Sequence, residues 1–217
     1  AYKLTFDINQ KYLKAHFNYY VNSSHTIEFG LNSIDYKLDP GDYEPVGKQS
    51  LVTPDVVNAQ HALESALYVS DRYTISPKFS IEAGIRYSMY NYLGPQTVNL
   101  YVDTIPKTAE DIAYTKNYSG GQMIKTYSGP EYRFSIKYEI SDSFSIKAGF
   151  NTQRQYTHVL SNTTAIAPTD IWQLSDPNIK PTSGEQVSLG LYKNFLSNTV
   201  ETSIEVYYKD MQHYLDY

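Results

Sequence analysis

The chain has 217 residues, no cysteine and a formal net charge of −5, and aromatic residues make up 15% of it, with 23 Tyr and one Trp. The lack of cysteine excludes disulfides, thiol nucleophiles and thiolate metal sites. No cluster of Lys and Arg offers the charge that a nucleic-acid partner requires, and no run of about 18 apolar residues predicts a transmembrane helix. The abundance of strand-favouring Tyr, Thr, Val, Ile and Phe indicates either a secreted β-protein or a transmembrane β-barrel.

Alternation of apolar and polar residues with a period of two predicts eight strands. In chain order they span 2–21, 26–38, 59–75, 79–90, 132–140, 144–153, 185–195 and 200–209. The alternation in the first strand changes phase between Asn9 and Tyr12, which predicts a bulge or kink at that point. All of these strands reach or exceed the roughly 9–11 residues that cross a bilayer, whereas strands of globular proteins centre on about five or six residues.

The connections between the predicted strands alternate between short and long. Asp39-Pro40-Gly41 begins the first long one, and all the long ones are rich in turn-forming residues. The short connections lie at 22–25, 76–78, 141–143 and 196–199, and the long ones at 39–58, 94–126 and 156–184. Outer-membrane barrels sort their connections in this way, with short periplasmic turns and long external loops. The sequence therefore predicts an all-β fold, an antiparallel up-and-down transmembrane β-barrel segment, and favours it over a soluble β-sandwich.

The last predicted hairpin shows most clearly what each strand face is for. One face is mostly apolar, with residues such as Leu189 and Val206, while the other carries Gln186, Glu201 and Glu205 in mid-strand. In a barrel, the first face contacts lipid and the second lines a watery or plugged lumen. Opposite charges such as Glu82 with Arg86 and Lys137 with Glu139 also fall on the polar face of their strands.

Strand polarity predicts where the two chain ends lie. If the short turns are periplasmic, the first strand descends from the outside and the last strand returns to it, so both ends are external. The two edge strands would be unpaired in lipid, which is not tolerated. We therefore expect residues 1–217 to be a β-barrel segment of a larger outer-membrane protein.

Three stretches carry a resemblance to a known family: 63–76 (LESALYVSDRYTIS), 155–195 and 200–217. They resemble the barrel of TonB-dependent outer-membrane receptors, in particular those with a carboxypeptidase-regulatory-like domain ahead of the plug. The resemblance implies a location in the bacterial outer membrane and about eight strands of a 22-stranded barrel with long extracellular loops. It further implies a plug domain outside this chain, an energy-transducing TonB complex as partner, and import of a siderophore, haem, oligosaccharide or peptide.

The sequence offers no pattern of catalytic or metal-ligating residues. Its five His show no metal-ligand spacing, and no Gly-x-Ser-x-Gly elbow is present. Glu201 and Glu205 share a strand face, but as part of a lumen wall rather than as an acid–base pair. We therefore expect no enzyme activity, no cofactor and no metal site.

Aromatic and cationic residues in the long connections and at the strand tops are the candidate ligand contacts, because rings and donors of this kind commonly line pockets. The candidates are Tyr101, Tyr114, Tyr118, Tyr127, Arg154, Tyr156, His158 and Trp172. Interfacial girdle or loop packing is the alternative role for each. The main functional hypothesis is an active transporter, and the alternatives are a non-transporting barrel for adhesion or secretion and a secreted glycan-binding β-sandwich.

Overall fold

The computed structural model describes residues 2–47, 55–56, 58–102, 107–160, 171–196 and 199–215. Parts of the predicted connections lie outside the described residues, at 48–54, 57, 103–106, 161–170 and 197–198. In the part that is described, no helix is long and apolar enough to cross a membrane.

Thirteen strands and one short 3₁₀ helix, Ala109–Asp111, make up the described regular structure. The strands are β1 Tyr2–Tyr20, β2 His25–Pro45, β3 Asp55–Val56, β4 Gln60–Ser76, β5 Phe79–Leu93, β6 Gln96–Tyr101, β7 Ile112–Tyr118, β8 Met123–Ser141, β9 Phe144–Gln155, β10 Thr157–Leu160, β11 Ile171–Leu174, β12 Thr182–Phe195 and β13 Val200–Gln212.

Eight of these strands form one antiparallel sheet in the order β1-β2-β4-β5-β8-β9-β12-β13, with β3 paired to the far end of β2. Each of the eight pairs with the next one along the chain, which confirms the predicted up-and-down order. The shortest of them, β9, has 12 residues and the longest, β2, has 21. Short connections therefore lie at one end of the sheet and long connections at the other, as the sequence predicts.

The long connection at 94–126 contains structure that the sequence does not reveal. Strands β6 and β7 pair there as a hairpin beyond the end of the main sheet. Each strand is only six or seven residues long, which is too short for a clear period. Polar side chains join the two strands, since Thr97 donates to Asn117 and Thr115 donates to Asn99.

The last hairpin has the predicted strands and faces. Leu189 pairs with Val206, Leu191 with Ile204, and Phe195 with Val200, so the apolar side chains of both strands lie on one face. Neighbouring strands continue the same apolar face across the sheet. Large side chains on it are exposed in this chain, with Leu67 65% and Ile204 70% exposed. We call this side the apolar face and the opposite side the polar face.

A shift in pairing register in β1 lies between Thr5 and Asp7, and from Asp7 to Tyr20 the pairing with β2 is regular. The predicted bulge near Asn9–Tyr12 is therefore wrong in position. The apolar pattern changes phase for another reason: Ile8 lies on the polar face, beside Tyr36 and Leu38, rather than on the apolar face with Phe17.

The same switch occurs in β2 and β5, where the polar face becomes apolar towards the long connections. In this region side chains of the polar face pack into one buried cluster with residues that follow β9. Its members are Ile34, Tyr36, Leu38, Ala62, Tyr90, Tyr92, Tyr156 and Leu174, with Ile124, Tyr127 and Trp172 packed against them. The hydrophobic core thus lies on the polar face, at the end with the long connections.

A glycine on the polar face of β2 makes room for a tyrosine ring. The Tyr68 hydroxyl lies 2.8 Å from His16 Nδ1, two strands away. A Cβ atom at Gly30 would lie only 2.6 Å from that hydroxyl and 2.2 Å from the Ala15 carbonyl oxygen. Only glycine at this position allows the ring to cross β2.

Replacing Gly30 with valine is expected to destabilise the protein by about 1–3 kcal/mol, because the Ala15 backbone cannot move away as a flexible side chain can. Chemical unfolding of the full-length protein in detergent would measure the loss. Gly120→Ala is the control, since a Cβ there meets nothing closer than 3.8 Å. Equal effects of the two substitutions would contradict the proposed role of Gly30.

Candidate functional site

Residues 156–160 and 171–181, which we call the inward segment, pack on the polar face instead of extending away from the sheet. The Tyr156 ring stacks on Tyr90 with a centroid separation of 4.5 Å and an interplanar angle of 5°. Its hydroxyl lies 3.0 Å from Ser88 Oγ. Tyr156, Tyr90 and Ser88 are all buried, so this contact anchors the start of the segment to β5.

Side chains of the sheet hold the backbone of the inward segment directly. The Tyr90 hydroxyl donates to the Ser175 carbonyl at 2.8 Å, and the Tyr127 hydroxyl donates to the Asp176 carbonyl at 2.7 Å. Gln60 accepts from the Leu174 N–H at 2.8 Å and donates to the Gln173 side chain at 2.7 Å. The segment is therefore docked through its main chain as well as through ring packing.

Two titratable groups belong to the inward segment. His158 is buried and its Nε2 lies 2.8 Å from Ser175 Oγ. Asp176 Oδ1 accepts the N–H groups of Asn178 and Ile179, both at 2.7 Å. Burial lowers the pKa of His158. Burial also raises the pKa of Asp176, although those two N–H donors, the Lys107 charge and Gln173 act in the opposite direction.

Acidification should weaken docking through His158. Because its docked pKa is depressed, its contribution is full above the ordinary value of about 6.5 and is lost as the pH falls through the docked pKa. We expect proteolysis of the inward segment to accelerate over that range in the full-length protein. A His158→Gln variant should show less of this acceleration. An unchanged acid response in His158→Gln would contradict the assignment.

Acidification should strengthen docking of the inward segment through Asp176, the opposite of its effect through His158. Its docked pKa is raised, so its contribution is present below the ordinary value of about 3.9 and is lost as the pH rises through the docked pKa. An Asp176→Asn variant still offers Oδ1 to the two N–H groups without the buried charge. It should therefore slow proteolysis at neutral pH in the same assay. Faster cleavage would contradict a destabilising role of the buried Asp176 charge.

A charged network lies on the polar face next to the anchor. Arg86 donates to Glu64 at 2.7 Å from Nη2 and to Glu131 at 3.0 Å from Nη1. Tyr36 donates to Glu64 at 3.0 Å, and Ser88 donates to Glu131 at 2.6 Å. The side chains of Glu64 and Glu131 are only 8% and 10% exposed. One guanidinium thus pairs with two buried carboxylates, and Ser88 joins this network to Tyr156.

A recess of about 170 Å³ lies on the polar face beside Arg86. Its polar lining consists of Glu28, Tyr68, Ser70, Glu82, Arg86, Glu131 and Arg133. These side chains offer carboxylate acceptors and guanidinium donors to a polar partner. No group of three His, Asp or Glu suited to a metal ion occurs among the residues that the structure describes.

The β6–β7 region also reaches the inward segment. Lys107 donates to the Asn178 carbonyl at 3.2 Å, and Asn178 donates to the Asn99 carbonyl at 3.0 Å. The Lys107 Nζ atom lies 5.8 Å from the centre of the Tyr101 ring. Two of the three long connections therefore meet at the same end of the sheet.

The structure brings together only some of the predicted ligand contacts. Four of them, Tyr127, Tyr156, His158 and Trp172, belong to the inward segment or contact it. Arg154 donates to the Pro130 carbonyl at 3.2 Å, and Tyr101 is linked to the segment through Lys107. Tyr114, 60% exposed, and Tyr118, beneath Lys116, lie on β7. A ligand-binding role for these eight residues stays a prediction.

Sequence reasoning missed most of the charged network. It places Arg86 with Glu82, whereas the structure pairs Arg86 with Glu64 and Glu131, and Glu82 with Arg72. Charged residues on the polar face were a usable signal, but partners on neighbouring strands depend on a register that the sequence does not show. The Lys137–Glu139 pair, which lies within one strand, is confirmed.

A family model described as "TonB dependent receptor-like, beta-barrel" matches residues 2–217. The chain belongs to this family. No curated protein matches the chain in a sequence search. As a TonB-dependent receptor barrel, the chain lies in the bacterial outer membrane, with its apolar face towards lipid, its polar face towards the lumen and its long connections outside the cell.

Solved structures of outer-membrane transporters share the fold at low sequence identity. The FrpB iron transporter from Neisseria meningitidis has 10% identity and a TM-score of 0.59, over 95% of this chain and 28% of that one. The alcaligin receptor FauA from Bordetella pertussis has 15% identity and a TM-score of 0.55, over 97% of this chain and 30% of that one. The copper transporter OprC has 9% identity and a TM-score of 0.61, over 96% of this chain and 31% of that one. This TonB-dependent receptor barrel segment thus spans about three tenths of the length of each.

Proposed function

We propose that this chain forms part of the wall of an active transporter that takes up a solute across the outer membrane. In this proposal a plug domain fills the lumen, and the TonB complex supplies energy through it. The solute is a siderophore, haem, an oligosaccharide or a peptide, bound first at the external loops. The names of the similar structures, which describe an iron transporter, an alcaligin receptor and a copper transporter, support a transport role.

The docked inward segment is the observation that carries the proposal. It folds back onto the luminal face at the external end, where Tyr90, Tyr127 and Gln60 hold its backbone. A barrel that served only as a membrane anchor would have no need of an external connection inside its lumen. Here the connection covers the wall along which a solute would pass, next to the charged network around Arg86.

The predicted contacts take two roles in this proposal. Trp172, in the inward segment, and Tyr101, beside it, are partly exposed and would contact a solute directly. Tyr156 and His158, in the same segment, are buried and would contact a solute only after the segment moves. Stacking on such rings suits sugars, catecholates and aromatic peptide side chains alike, so the fold leaves the solute class to experiment.

Growth of a deletion strain on single iron or carbon sources tests the proposal. We expect loss of growth on one source, restored by the full-length gene and lost again when the TonB complex is inactivated. Restored growth that does not need the TonB complex would contradict active transport. Normal growth of the deletion strain on every source, together with loss of surface attachment or of a secreted protein, would favour the non-transporting barrel.

A further inference from the structure

The lipid-facing surface carries an open groove of about 550 Å³ across β1, β2, β4 and β5. Phe17 and Phe29 line one side, with their rings stacked at a centroid separation of 5.4 Å. Ile85 and Tyr87 line the other side, and Leu67 lies on the strand between them. A surface in contact with lipid needs no such groove to be apolar, so its shape points to a particular occupant.

A polar pair lies on the same face of β2 and β4, towards the short connections. His25 Nδ1 is 2.8 Å from Asp71 Oδ2, and the His25 ring stacks on Tyr73 at 4.1 Å. The second carboxylate oxygen, Asp71 Oδ1, is buried and has no hydrogen-bond partner among the described residues. A charged group on a lipid-facing surface is costly unless it lies near the interface and is paired. The Asp71 side chain is 39% exposed, so its carboxylate can accept a donor from outside the sheet in addition to His25.

The spacing between the groove and the pair matches one leaflet of a membrane. The paired positions Leu31–Leu67, Phe29–Val69, Ile27–Asp71 and His25–Tyr73 follow each other down the two strands. Six residues at about 3.3 Å each give about 20 Å along a strand, or about 15 Å of depth at a tilt of about 40°. The hydrocarbon core is about 30 Å thick, so the groove reaches its middle when the pair lies at the periplasmic interface.

We propose that this surface binds one phospholipid of the periplasmic leaflet through a phosphoethanolamine headgroup. The headgroup ammonium donates to the Asp71 carboxylate from its exposed side. The His25 Nδ1–H donates to Asp71 and holds the carboxylate in position for the ammonium. One acyl chain lies in the groove between Phe29 and Ile85. A choline headgroup has no N–H to donate and a glycerol headgroup has no cation, so the site distinguishes the three.

Native mass spectrometry of the full-length receptor tests this site. The receptor is first delipidated in detergent and then offered equal amounts of phosphatidylethanolamine, phosphatidylglycerol and phosphatidylcholine. We expect the wild type to retain one phosphatidylethanolamine, with a preference of about tenfold over phosphatidylcholine, as expected for one charge-assisted hydrogen bond. Asp71→Asn should abolish that preference. Asp35→Asn, on the same face of β2 but ten residues from His25 towards the external side, should leave it unchanged.

A groove variant separates the acyl contact from the headgroup contact. Leu67→Trp fills the groove and should lower retention of all three lipids without changing their ratio. Equal retention of the three lipids by the wild type would overturn the proposal, as would a preference that survives both Asp71→Asn and His25→Gln. Where Asp71→Asn does not assemble, the wild-type competition and His25→Gln still decide. None of these outcomes depends on whether the receptor transports a solute.

Discussion

Replacing Arg86 with methionine is expected to destabilise the barrel wall by about 3–5 kcal/mol, which is typical of a buried ion pair that loses one partner. Glu64 and Glu131 are about nine-tenths buried, and Arg86 is the cation that contacts both. Tyr36 and Ser88 still donate one hydrogen bond to each carboxylate. These neutral donors cannot balance two negative charges, so the loss should approach that of an uncompensated charge.

Thermal and chemical unfolding of the full-length receptor in detergent would measure this effect. The matched control is Arg133→Met, because Arg133 lies on the same polar face but is exposed. We expect its effect to stay within about 0.5 kcal/mol, as for most surface positions. A double variant, Arg86→Met with Glu64→Gln, should recover part of the stability because it removes one of the two stranded charges. Equal losses in Arg86→Met and Arg133→Met would show that the network contributes little.

The second large effect is expected for Leu189→Arg. Leu189 lies in the middle of β12 on the lipid-facing side, between Ala148 of β9 and Val206 of β13. A cation at the bilayer midplane costs roughly 2–4 kcal/mol on the lipid face of a barrel. We therefore expect less folded receptor in the outer membrane, measured as the heat-modifiable fraction on a gel and as unfolding free energy.

Ser188→Arg is the control for Leu189→Arg, since it adds the same charge one residue away on the luminal face. The Ser188 side chain lies against Gly149, which has no side chain of its own, so space is available for a longer residue. Its effect on assembly should be small. If both substitutions reduce assembly equally, the face assignment of β12 is wrong.

The sequence was sufficient to predict the architecture because residues of a barrel strand face lipid and lumen alternately, which gives each strand an apolar period of two. The two faces of the last hairpin followed from the apolar alternation and from one short turn, both of which are local. Alternating connection lengths then gave the up-and-down order and the two ends of the sheet. The sequence did not predict the hairpin β6–β7, because its strands of six and seven residues are too short to show a clear period.

The site was less predictable because its contacts join distant parts of the chain. Gln60 meets Gln173 and Leu174 across more than a hundred residues, and no local pattern encodes that pairing. Ile34, Tyr36 and Leu38 did carry a signal, since apolar residues on a luminal face need a cover. The sequence alone could not say which connection provides that cover.

The cluster beneath the inward segment implies an order of assembly for the barrel. Its wall residues belong to strands that pair with their neighbours in sequence, so hairpins that contain Tyr36 and Tyr90 can form early. Tyr156 and Leu174 arrive from a connection much later in the chain, and closing that long loop has an entropic cost. The wall should therefore insert with these aromatic rings exposed on its luminal face. The rings should be shielded from water only when the connection between β9 and β12 packs over them.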